Sequence, residues 1–349
     1  MSSFPKTRFL DRTTPPHIAT LILMAGIGAL SLNVFLPSLP TMAEHFGVEY
    51  ALMQLSVSAY LATTALVQVA IGPFSDRYGR RPVMIGTVVI FTIASVGAVY
   101  ALNFTVFLIF RLLQTAIATG FVISRAVVRD MVPQDQAASM IGYVTMGMSI
   151  VPMMGPAVGG VLDEAFGWQA SFWMLAGGGL LLLILLYFDQ GETFIKREGG
   201  FAAQVREYPK LLTSQRFWGY CLAAAFASGA FFAYLGGAPF VGTEVFAMEP
   251  AELGLYFGSP AIGYLIGNGL SGRYSVRVGV NRMVLIGALL TVAGMSTLML
   301  LDLAGFSHPL VFFGFMICIG LGNGILLPNA NAGMLSVRPA LAVVVLHCQ

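Results

Sequence analysis

Apolar runs of about twenty residues recur along this chain, and no other feature restricts its fold so tightly. A helix needs roughly 20 apolar residues to cross the hydrocarbon core of a bilayer. Runs of that length fall at 18–40, 51–73, 83–101, 104–124, 139–162, 169–188, 217–241, 252–272, 283–301 and 309–328. Composition agrees: 57% of the 349 residues are hydrophobic and 10% charged, against roughly 25% charged in a soluble domain, and the mean hydropathy is +0.81. No water-soluble fold of this length could bury so much apolar surface. The chain therefore reads as an all-α polytopic membrane protein with ten spans. Short turns separate most of them. The exception is the polar stretch 189–215, which divides a six-span half (18–188) from a shorter second half (216–328). Segment 1–17 precedes the first span and 329–349 follows the last.

The charges orient these spans. With the N-terminus in the cytoplasm, the loops on that side hold Lys6, Arg8 and Arg12; Arg77, Arg80 and Arg81; Arg125 and Arg129; Lys196, Arg197, Arg206, Lys210 and Arg216; Arg273, Arg277 and Arg282; and Arg338. Those are seventeen of the eighteen basic residues. The eighteenth, Arg111, lies inside a span. The opposite loops are acidic, with Glu44, Glu49, Asp163, Glu164, Glu244, Glu249, Glu252 and Asp302. Enrichment of Lys and Arg in cytoplasmic loops sets orientation, so both termini are expected in the cytoplasm. The first run is too long for the apolar region of a signal peptide and continues into Pro37 and Pro40, which reads as an uncleaved first span. Cys221, Cys318 and Cys348 have no metal-ligand spacing and read as unpaired packing residues.

The chain repeats itself. Gly72, Ser75, Arg77 and Gly79 after the second span recur as Gly272, Ser275, Arg277 and Gly279 after the eighth, at an offset of 200 residues. Both segments follow the second span of their half, as a duplicated six-helix unit would give. The first copy, with Gly72, Asp76, Arg77, Gly79, Arg80 and Arg81, fits Gly-x-x-x-Asp-Arg-x-Gly-Arg-Arg. Its glycines permit a tight reversal, and its arginines suit anionic headgroups. This pattern resembles the signature between spans 2 and 3 of the major facilitator superfamily. The resemblance implies a pseudo-symmetric bundle of twelve helices around a midplane site. It also implies a gating role for Asp76, held by the positive N-terminal end of an eleventh helix.

Further stretches narrow the resemblance. Gly155-Pro156-Ala-Val-Gly159-Gly160 in span 5 resembles the antiporter motif of drug:proton antiporters. Its glycines allow close helix approach, and its proline removes a backbone donor. Arg111-Leu-Leu-Gln114 in span 4 is similar to the Arg-x-x-Gln motif of the same proteins. A central arginine costs about 2.5–3.5 kcal/mol to insert, so such residues face a cavity or a polar partner; snorkelling to the outer surface is the alternative. Asn33-Val-Phe-Leu-Pro37 in span 1, Arg125 to Asp130 after span 4, and Phe231 to Phe240 in span 7 resemble the Bcr/CflA, or bicyclomycin-resistance, branch.

The resemblance implies alternating-access export of drugs or small amphipathic compounds across the cell inner membrane, coupled to protons, by a monomer in the bilayer. It places Asn33, Arg111, Gln114, Phe232, Tyr234 and Asn323 near the substrate and proton pathway. The conformational motif would comprise the Gly72–Arg81 residues, Asp130, Gly155, Pro156, Gly159 and Gly160. An importer or facilitator is the second reading, and a non-transporting membrane protein the third. Many members of the branch carry Asp where this chain has Asn33, and no carboxylate lies in the middle of a span. No nucleotide-binding loop, catalytic triad or metal cluster appears, and His17, His45, His308 and His347 are scattered; no enzyme activity, cofactor, metal or nucleic-acid partner is expected. The second half has four spans where the family has six. The final VVVLHCQ is too short to cross a bilayer, so the reading expects an incomplete C-terminal bundle with an aberrant tail.

Overall fold

The computed structural model describes residues 7–131, 154–193 and 213–337. The beginning of the fifth apolar run, most of the central polar stretch and the tail from 338 onward lie outside the described residues. Within them the regular structure is helical, without strands. In chain order the helices are α1 (Ile18–Asn33), α2 (Leu39–Phe46), α3 (Tyr50–Met53), α4 (Leu55–Tyr78), α5 (Arg80–Val99), α6 (Phe104–Leu113) and α7 (Thr119–Met131). Then come α8 (154–166), α9 (Gln169–Asp189), α10 (Gln215–Phe240), α11 (Pro250–Phe257), α12 (Ser259–Val278), α13 (Val280–Leu303) and α14 (Pro309–Val337).

Several apolar runs are continuous helical rods with local changes of pitch. The first run passes from α1 through a 3-10 turn at Leu36–Ser38 into α2. Pro37 and Pro40 lack the N–H that an unbroken α ladder needs. The fourth run tightens into a 3-10 stretch at Gln114–Ala118 between α6 and α7. Eight such rods among the described residues have the length and apolar character to cross a membrane. The eighth run became α11 and α12. That rod falls short on apolarity because α12 carries Asn268, Ser271, Arg273, Ser275 and Arg277 along its length.

The described helices form two compact units, Met1–Glu198 and Gly199–Gln349. The 200-residue sequence offset is also a structural offset. Gly79 is the single residue between α4 and α5, with φ +93°. Gly279 is the single residue between α12 and α13, with φ +90°. Each donates its N–H to the carbonyl four residues earlier, Ser75 at 3.0 Å and Ser275 at 2.9 Å. A side chain is disfavoured at such φ, so glycine makes the reversal. The helix runs through the rest of the motif up to Tyr78; the loop expected from the sequence is one residue long.

The first unit packs Leu21, Met24, Phe35, Leu36, Leu39, Phe91, Phe107 and Phe172 into a closed core. Phe107 and Phe172 meet edge to face at 5.5 Å, and Phe35 lies 5.8 Å from Phe172. In the second unit α12 and α14 touch backbone to backbone. A Cβ at Gly263 would overlap the Ile317 carbonyl, and one at Gly320 the Pro260 carbonyl. Small residues at helix interfaces in lipid permit this approach, where dispersion contact replaces the missing hydrophobic drive. Phe217, Tyr220, Leu326, Ala330 and Met334 form the core at the other end of that unit.

Candidate transport site

Arg111 is the chemical centre of the first unit. It sits in the last turn of α6 and is fully buried, so its side chain does not snorkel. Nη1 donates to Gln114 Oε1 at 2.7 Å and to Ser31 Oγ at 3.3 Å, and Nη2 donates to the Ser31 carbonyl at 2.8 Å. The guanidinium lies between two aromatic faces, 4.2 Å from the Phe35 ring and 4.0 Å from the Tyr60 ring. Such stacking contributes about 2 kcal/mol when desolvated. Gln114 is held in turn by donating Nε2 to Ser95 Oγ at 2.8 Å, and the Tyr60 hydroxyl donates to Ser31 Oγ at 3.3 Å. Arg111 Nε has no partner. Among the described residues no carboxylate pairs with this cation. The arrangement is a fixed positive charge with one unused donor, framed by π faces and neutral dipoles.

The other sequence candidates divide between the two units. Asn33 is buried at the end of α1, two residues from Ser31. Its Nδ2 donates to the Ala29 carbonyl at 2.9 Å, while its Oδ1 has no partner. In the second unit the buried Tyr234 donates its hydroxyl to the Phe257 carbonyl at 3.0 Å and packs on that ring at 5.1 Å. Asn323 donates to the Ala227 carbonyl at 3.1 Å and leaves Oδ1 unpartnered. Phe232 is half-buried beside Phe231. No hydrogen bond or ring contact joins these three to one another.

The charged motif converges on Arg80. This residue is buried at the start of α5, with Nη1 2.6 Å from Asp76 and Nε 3.3 Å from Asp130 on α7. It also bonds Ser75 Oγ, which donates to the Gly72 carbonyl. Asp76, half exposed, is thus tied to Arg80 one turn ahead. Arg77 is exposed and lies over the Tyr78 ring, while Arg81 lies over the Tyr187 ring and donates to the Tyr187 carbonyl. In span 5, Gly155, Pro156, Gly159 and Gly160 are all buried. Gly155 faces Asn33, and Gly159 abuts the Val34 carbonyl so closely that a Cβ would overlap it. The glycine motif therefore seats α8 on the end of α1.

Comparison with known proteins decides the family. The profile of the Major Facilitator Superfamily matches residues 21–344. The chain belongs to the Major Facilitator Superfamily. As a member it is a multi-pass membrane transporter. It is 28% identical over 314 residues to a chloramphenicol resistance protein of Pseudomonas aeruginosa, covering 87% of this chain and 73% of that relative. It is 26% identical over 346 residues to a bicyclomycin resistance protein homolog of Haemophilus influenzae, covering 95% and 84%. The fold is similar to that of a bacterial homolog of the human lysosomal transporter Spinster, solved in an inward-facing, occupied conformation. The TM-score is 0.73 at 19% identity, over 95% of this chain and 77% of that one.

Two carboxylates of this facilitator escaped the sequence reading. Glu192 accepts from the backbone N–H of Arg80 at 2.9 Å and of Arg81 at 3.2 Å, capping the start of α5. Asp189 is fully buried and accepts from Leu10 N at 2.8 Å, His17 N at 2.9 Å and Thr20 Oγ1 at 2.5 Å, capping α1. An acid at a helix N-terminus meets unpaired N–H groups and the positive end of the dipole. Both acids follow the sixth span and serve helices far away in sequence. Ser31, Tyr60 and Ser95 were missed for a related reason: a buried arginine needs acceptors, but the sequence does not say which span supplies them.

Proposed function

We propose that this transporter exports small amphipathic compounds across the cell inner membrane in exchange for protons, with both termini in the cytoplasm. The observation that carries the reading is the Arg111 cluster. A buried cation without a carboxylate partner is costly, and such a group is retained where a site needs it. Phe35 and Tyr60 clasp the guanidinium and Ser31 and Gln114 fix its orientation, which leaves Nε as the donor free for a ligand; a few placed polar groups among aromatic side chains are what small-molecule sites use. Relatives named for resistance to chloramphenicol and bicyclomycin favour export over import. The one-sided placement of Lys and Arg supports the orientation.

The test is ethidium accumulation in bacteria lacking their own exporters. Expression should lower cellular dye, and a protonophore or Arg111→Ala should restore it while membrane insertion persists. Dye raised above the empty-vector level would mark an importer instead.

A further inference from the structure

Asp163 follows the fifth apolar run, in α8, at the end of the first unit opposite the Gly79 turn. Its carboxylate is 7% exposed and accepts from Thr41 Oγ1 at 3.0 Å. Thr41 has a single hydroxyl proton, yet its oxygen also lies 2.9 Å from the Ser38 carbonyl. The neighbouring Ser38 Oγ is fully buried and lies near enough to the carboxyl to be its second donor. An ionised carboxylate buried here would face two hydroxyl donors, one of them shared with a carbonyl, whereas carboxylates held firmly ionised take two or three backbone N–H bonds or an opposite charge. A protonated carboxyl relieves the sharing at Thr41: Asp163 donates to Thr41 Oγ1, and Thr41 donates to the Ser38 carbonyl. Thr41 is exposed, which gives the proton a way to water.

The surroundings supply no compensating charge. On α2, His45 turns its ring toward Phe46 and Trp168, and Glu44 is exposed. Glu164 beside Asp163 is exposed, and among the described residues no cation pairs with Asp163. Burial pushes the Asp163 carboxyl up, and the nearby Thr41 and Ser38 hydroxyls offset this only in part.

We propose that Asp163 is a proton-binding site whose occupancy switches the Thr41 hydroxyl between the Ser38 carbonyl and the carboxylate. Loss of the proton turns Thr41 toward Asp163 and releases the carbonyl at the 3-10 turn between α1 and α2. That turn follows directly on Phe35, which stacks on Arg111. The switch thereby connects a proton at the rim to the packing of the buried cation. The transport role of this site rests on the proton-exchange reading above.

Infrared pH titration of the purified full chain in lipid nanodiscs tests the site without requiring transport. A protonated-carboxyl band should persist above the usual aspartate range and be lost in Asp163→Asn. Thr41→Val removes a donor to the charged form and should move the midpoint to higher pH. Identical titrations of wild type and Asp163→Asn would overturn the site, and a Thr41→Val midpoint at unchanged or lower pH would overturn the switch. Ethidium export by proteoliposomes should show a pH profile displaced in the same direction in Thr41→Val. If the band behaves as described but wild-type export ignores the pH gradient, the proton-exchange reading falls and the site stands.

Discussion

Replacing Arg111 by lysine or by methionine separates charge from shape. Lysine still bears the cost of a buried cation, about 2.5–3.5 kcal/mol in a membrane. Its single ammonium cannot lie flat between Phe35 and Tyr60 while reaching both Ser31 and Gln114. A hydrogen bond to a charged group contributes about 1.5–3 kcal/mol, and a desolvated stack on an aromatic face about 2. Losing one of each costs Arg111→Lys about 3.5–5 kcal/mol. Methionine forfeits the same contacts but also removes the buried charge. It leaves Gln114 Oε1 without its donor, at about 1–3 kcal/mol. Buried ionic groups replaced by apolar ones of similar volume are often close to neutral. Thermal unfolding in detergent should therefore rank wild type and Arg111→Met together and Arg111→Lys below both, while ethidium export fails in both variants. A lysine variant more stable than the methionine one, with wild-type export, would refute the reasoning.

Other expectations are equally specific. Gly320→Ala drives a Cβ into the Pro260 carbonyl, which is backbone and cannot rotate away; it should cost about 3 kcal/mol or more and appear as aggregation on size-exclusion chromatography. Gly79→Ala and Gly279→Ala both force a side chain into a conformation costing about 1–3 kcal/mol, but only at Gly79 would the Cβ also meet Glu192 Oε2, at 2.6 Å. The Gly79 variant should unfold at the lower temperature, and equal midpoints would count against Glu192 as a cap. Burial raises the folded Asp163 carboxyl above a solvated aspartate, so its contribution to stability is fully present at pH below the usual aspartate range and is lost as pH rises through the folded midpoint; unfolding midpoints measured against pH should lose that dependence in Asp163→Asn. Reporter fusions after Ala165 and Thr243 should read periplasmic and those after Gly199 and Val278 cytoplasmic, and a periplasmic signal at Gly199 would invert the topology.

What the sequence made legible was whatever depends on local pattern. Hydropathy located the rods because partition into lipid is a property of each run by itself. The repeat was visible because Gly79 and Gly279 answer the same local demand, a reversal in one residue. Arg111 and Gln114 stood out as polar residues at one-turn spacing in an apolar run. The companions of these residues were not legible. Glu192 sits 112 positions from the N–H of Arg80 that it caps, and Ser31 sits 80 positions from Arg111; both belong to stretches whose composition is unremarkable. The changes of pitch at Leu36–Ser38 and Gln114–Ala118 also escaped hydropathy, which does not distinguish one helical ladder from another. The glycines of span 5 read as permitting close helix approach, and Gly159 meets the Val34 carbonyl. A glycine motif announces close approach without naming the partner.

The backbone contact of α12 with α14 bears on how the chain meets bilayers of different thickness. Helices answer hydrophobic mismatch by tilting. At about 1.5 Å per residue, the 20 residues of α12 and the 29 of α14 have unequal ideal tilts. Where side chains fill an interface, each helix can adjust by repacking them. Here Gly263 and Gly320 bring carbonyl against Cα, and no side chain is left between them to repack. The two helices must take one compromise angle, and the surplus length of α14 is left to its ends, beyond the contact.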